Sequence, residues 1–134
     1  MHRLFAITII MLLIQSCEKK HSSLEADLYG RWELVMVENN VVGREPYPRG
    51  NGHTISFEGN TYLQTFKYPD TTFQVKGKFS IVAGKPCENA DARIVLNMDG
   101  ILLDYSVSGA TFIMMLPMDC GVDLLRLTFR RMFF

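Results

Sequence analysis

Between Phe73 and Ile81 every second residue is apolar or glycine, and the residues between them are Gln74, Lys76, Lys78 and Ser80. A side-chain period of two belongs to a half-buried strand and does not fit a helix, whose faces repeat every 3.6 residues. The alternation recurs along the chain: Trp32, Leu34 and Met36; Ile55 and Phe57; Ile94, Leu96 and Met98; Leu103, Tyr105 and Val107; Phe112, Met114 and Leu116; Leu125, Leu127 and Phe129. Turn signals separate these runs at about ten-residue intervals, the spacing of an all-β sandwich or barrel. Among them are Glu58-Gly59-Asn60, Pro69-Asp70, Asp99-Gly100 and Ser108-Gly109. Asp-Gly is a favoured two-residue hairpin turn because both central positions need positive φ. Eight strands are predicted, over about 30–38, 53–58, 61–68, 72–82, 92–98, 101–108, 110–116 and 122–131. Short hairpin links favour an all-β, eight-stranded antiparallel up-and-down barrel, which leaves no open edge. A two-sheet sandwich is the alternative.

The chain has 134 residues, 48% of them hydrophobic, which suits one globular domain. Fourteen basic residues balance fourteen acidic ones. A phosphate backbone is held by excess positive charge, so nucleic acid is not an expected partner.

The first residues carry a different pattern. Arg3 is followed by an uncharged run from Leu4 to Ile14, too short for the roughly 20 residues that span a bilayer but suited to a secretory signal. The run leads into Leu13-Ile14-Gln15-Ser16-Cys17, which resembles the lipobox of bacterial lipoproteins. The resemblance implies cleavage before Cys17 and lipidation of that cysteine by diacylglycerol and a further acyl chain such as palmitate. A plain signal peptide with an incidental cysteine, or a short anchor helix, is the other reading. Residues 1–16 are thus assigned to a signal peptide, 17–27 to the lipidated cysteine and a polar tether, and 28–134 to the barrel domain. Two or more acyl chains anchor a protein firmly, at about 0.8 kcal/mol per buried methylene. Location in the cell envelope follows, at the outer membrane of a Gram-negative bacterium.

Within the domain, Gly30-Arg31-Trp32 resembles the Gly-x-Trp opening strand of lipocalins, a calycin-type β-barrel family. The hairpin from Ile55 to Tyr62, the run from Tyr105 to Phe112 and the closing Leu127-Thr128-Phe129-Arg130-Arg131 resemble bacterial lipocalin-like lipoproteins. The resemblance implies that Trp32 closes one end of the barrel and that Arg130 or Arg131 lies over its indole as a cation–π partner. It also implies a small apolar ligand inside, with Phe57, Phe66, Phe73, Phe79, Tyr105, Phe112 and Met114 as the inward lining. Polar Tyr47, Arg49 and Asn51 would mark an open mouth. Residues 39–52 hold too many Gly and Pro for the helix pair of fatty-acid-binding proteins.

Catalytic signals are sparse. After Cys17 the only histidines are His21 and His53, and none of the common nucleophile, zinc or phosphate-loop motifs occurs. No enzymatic activity, cofactor or metal is expected. Met114, Met115, Met118 and Cys120 form a soft-ligand run, but alternation sends Met114 and Met115 to opposite faces, which favours a core strand over a copper site. Cys87 and Cys120 lie in predicted loops of an exported domain, where disulfides persist. Three strands separate those loops and would place them at opposite barrel ends, so the pairing stays open. The alternative to a ligand carrier is a protein-interaction, structural or inhibitor lipoprotein with a filled barrel.

Overall fold

The computed structural model describes residues 24–133. Nine strands follow one another: β1 (Gly30–Asn39), β2 (Gly43–Pro46), β3 (Thr54–Glu58), β4 (Thr61–Lys67), β5 (Thr72–Gly84), β6 (Arg93–Met98), β7 (Ile101–Ser108), β8 (Thr111–Met115) and β9 (Leu125–Arg131). Every neighbouring pair is antiparallel, and β1 also pairs with β9 from Trp32↔Arg131 to Asn39↔Leu125. That last ladder closes the sheet into a barrel. The staves number eight because β2 and β3 lie on the same edge of β1, at Met36–Asn39 and Gly30–Glu33 respectively. Residues 47–53 form an excursion between them, with Tyr47 N–H donating to Val35 O at 2.8 Å and Leu34 N–H donating to His53 O at 2.9 Å. The split stave was not predicted: no strand is expected in the Gly- and Pro-rich stretch 39–52, yet Gly43–Pro46 forms one, and Pro46 ends it where no ladder donor is needed.

The core occupies the half of the barrel around Trp32. Trp32, Phe57, Phe79, Phe112 and Phe129 are buried there with Leu28, Ile55, Leu96 and Met114. Phe112 stands at the centre of the rings, 5.5 Å from Trp32, 5.6 Å from Phe57 and 5.5 Å from Phe129. Offset and tilted rings at these separations are favoured packing.

The strand count between residues 92 and 116 stands, but the conclusion drawn from it about the cysteines does not. Cys87 and Cys120 are bonded, with Cα atoms 5.8 Å apart. β6 pairs with β7 only from Leu96↔Leu103 to Met98↔Ile101, whereas β8 pairs with β7 only from Asp104 to Ser108. Each neighbour covers a different half of β7, so the loops after β5 and after β8 meet beside its midpoint. Arg93 ties the same place. Its Nε and Nη2 donate to Asp104 at 2.7 and 3.1 Å, and its two Nη atoms donate to Asp119, each at 2.8 Å.

Candidate functional site

The end around Trp32 is sealed by local chemistry. Gly30 has φ +111°, a value that favours glycine, and it turns the chain so that Trp32 enters the core. The indole N–H donates to Leu28 O at 2.8 Å. Arg131 lies over the indole, 4.1 Å from the ring centroid, and its guanidinium also donates to Tyr29 O at 2.7 Å and Asp27 O at 2.9 Å. Arg130 has a different task. It projects outward to Glu33, bonding Oε1 through Nε and Nη2, while Glu33 Oε2 accepts from Gly50 N–H at 2.9 Å. Glu33 is buried, and the pair fastens the 47–53 excursion to β1 and β9. The last residues of the expected tether are part of this seal: Asp27 takes the Arg131 bond, and Ile81 N–H donates to Glu25 Oε1 at 3.5 Å. Cys17 and residues 18–23 lie outside the described residues.

The opposite end is open. A cleft of about 410 Å³ sits above the core, floored by Leu34 and Phe129 and walled by Val37, Tyr47, His53, Phe66, Tyr68 and Leu127. Gln64, Thr54 and Lys67 supply polar groups on the same wall. His53 is the hub of the aromatic side, with ring centroids 5.3 Å from Tyr47, 5.9 Å from Tyr68 and 6.5 Å from Phe66, all edge-on. Burial, and then the nearby Glu45, raise the Tyr47 phenol above its ordinary pKa.

The predicted lining divides between core, cleft and rim. Phe57, Phe79, Phe112 and Met114 are packed in the core, and Tyr105 lies half-buried against it. Phe66 lines the cleft. Phe73 is a correction. It stacks on Phe66 at 5.0 Å and on Tyr68 at 5.8 Å, but it is 47% exposed at the rim and lines no part of the cleft. The reason is that β6 joins β5 only from Phe79 onward, so no described strand covers Phe73 from that side. Of the three polar mouth residues, Tyr47 alone lines the cleft. Arg49 lies in a groove with Glu33 and Arg130, and Asn51 pins the excursion by donating to Leu34 O at 2.8 Å and Pro48 O at 2.7 Å. Sequence reasoning missed His53 and Leu127 as wall residues. His53 follows the 47–53 excursion that splits the stave, and its ring stands among the aromatics of the wall.

Met115 and Met118 do not join Met114: Met115 Sδ faces Arg126 at 4.0 Å, and Met118 is half-exposed. Among the described residues no group of three His, Cys, Asp or Glu side chains is arranged to hold a metal ion. No protein-family model matches the chain, and no curated protein or solved structure matches it either.

Proposed function

We propose that this chain is a lipid-anchored, lipocalin-like protein of the bacterial envelope that binds one small apolar molecule in the open cleft, without catalysis or a cofactor. The observation that carries this reading is the cleft itself: a concave, mostly apolar space above a packed floor, with a few polar groups at its wall. The aromatic side chains bring large contact area at little entropic cost, since each has two rotatable side-chain bonds. The Gly30-x-Trp32 seal supports the family likeness at the other end.

Lipidation at Cys17 accounts for the Leu-Ile-Gln-Ser-Cys sequence. The seven residue-to-residue steps from Cys17 to Leu24 span at most about 25 Å at full extension. A tether of that reach would join the anchor to the sealed end of the barrel, where Asp27 takes the Arg131 bond. Cys17→Ala is expected to move the protein from the detergent phase to the aqueous phase, and unchanged partitioning would remove the anchor from this account.

The binding test is a titration with an environment-sensitive apolar fluorophore, read by the probe's own emission because Trp32 is buried in the core and lines no part of the cleft. Wild type is expected to saturate at micromolar probe. Val37→Trp fills the cleft and should abolish binding while the protein still melts cooperatively, since overpacking costs about 1–3 kcal/mol. A filled barrel acting through its surface is the second reading, favoured by the ring cluster that occupies the lower half. Probe binding indifferent to Val37→Trp would support it.

A further inference from the structure

The barrel wall has a free edge. β5 pairs with β4 along Thr72–Lys78, but its other side meets β6 only from Phe79 to Gly84. At Lys78 that other side is taken by the β6–β7 turn: Lys78 N–H donates to Asp99 Oδ1 at 2.9 Å, and Asp99 N–H donates to Lys78 O at 3.0 Å. Backbone groups alternate along a strand, so Thr72, Gln74 and Lys76 point their N–H and C=O the same way as Lys78. No described strand pairs with them there. Thr72 to Lys76 are all exposed, with Phe73 at 47% and Val75 at 41%. A row of unpaired backbone groups flanked by exposed apolar side chains is a template for another strand.

We propose that this edge pairs with the same edge of a second copy of the chain, antiparallel about a two-fold axis at Gln74. In that register Gln74 faces Gln74 and Thr72 faces Lys76, and each pair exchanges both of its backbone hydrogen bonds. Phe73 faces Val75 of the second copy on one face of the new sheet, an aromatic against a β-branched residue. The charges agree with the same register. Asp70, in the β4–β5 turn, falls opposite Lys78 and diagonal to Lys76, and no lysine faces a lysine. An axis at Val75 would instead set Thr72 against Lys78, whose backbone groups Asp99 already holds, and would put Ser80 rather than a lysine directly opposite Asp70. A two-fold contact made from one self-complementary strand is the simplest closed assembly.

Cysteine cross-linking of the full chain, purified from membranes in detergent, reads the register directly. Hydrogen-bonded antiparallel partners have Cα atoms about 5.5 Å apart, within disulfide reach. Gln74→Cys should give a covalent dimer as the main product of mild oxidation. Thr72→Cys alone should stay monomeric but link to Lys76→Cys when the two are mixed. Sedimentation of wild type should show a mass that doubles with concentration, and Val75→Lys, on the exposed rim, should hold it at the monomer. Equal cross-linking of Thr72→Cys and Gln74→Cys would overturn the register. A wild-type chain that stays monomeric at hundreds of micromolar, with Gln74→Cys unlinked, would overturn the dimer. So would a chain that pairs its edge with a foreign peptide and never with itself.

Discussion

Gly77 shows how much one residue can depend on a distant partner. A Cβ there would overlap Asp99 Oδ2 and stand 2.8 Å from Tyr62 Cε1, because the β6–β7 turn folds down onto β5 at that point. Tyr62 donates its hydroxyl to Asp99 at 2.8 Å, and the Lys78 amide donates to the other carboxylate oxygen. Gly77→Ala should therefore cost about 1–3 kcal/mol, seen as an earlier urea midpoint with an unchanged slope. The need for glycine was not legible in the alternating run, since Asp99 lies far along the chain and only the hairpin register brings it there. Trp32 was legible, because its neighbours Gly30 and Arg131 sit in short motifs in the first and last strands. Trp32→Ala should lose about 3–5 kcal/mol. Burial, and then the Asp99 carboxylate, push the Tyr62 phenol up to about 12. In an ultraviolet titration Asp99→Asn should lower that value yet leave it above 10, because burial is the larger cause.

At the level of elements, the hairpins were readable and the stagger between them was not. Asp99 and Gly100 both take positive φ, as the Asp-Gly turn requires, and β7 runs over the predicted 101–108. Local turn chemistry carries that information. The offset of β6 and β8 along β7 is a property of barrel closure, and no local residue encodes it. Its consequence is the Cys87–Cys120 bond across 33 positions, which constrains the unfolded chain by roughly 3–4 kcal/mol. Replacing both cysteines by serine should lower stability by that order without unseating the barrel. Arg93 reinforces the junction and holds the Asp119 carboxyl below its ordinary range; the Lys78 amide and Tyr62 do the same for Asp99, and Arg44 and Arg126 for Glu38. Each of these groups has a folded pKa below its unfolded one. Their stabilisation is complete above the unfolded carboxylate pKa, about 4, and is lost as pH falls through the folded values. The melting temperature should drop between pH 4 and pH 2, with a shallower slope in Asp119→Asn. An unchanged slope in that variant would detach Asp119 from the acid limb.

For the molecule as a whole, alternation and turn spacing were enough to anticipate a closed antiparallel barrel, and eight staves are what forms. The distribution of side chains inside it was not anticipated. Period two says which face a residue takes, but not how high it stands along the barrel, and height decides between core, cleft and rim. Phe79 and Phe73 share a face of β5, yet one is buried at 3% and the other is exposed at 47%. The same difference leaves the upper half unfilled and gives the cleft its room above Leu34 and Phe129. Whether that room is occupied in the cell is the point on which the functional account stands. Native mass spectrometry of the protein extracted from its own membranes reads it in one spectrum. The account predicts a one-to-one adduct, beyond the mass of the acyl chains on Cys17, that is present in wild type and missing from Val37→Trp. A spectrum in which wild type and Val37→Trp carry the same mass increment, or none beyond the anchor, would contradict it.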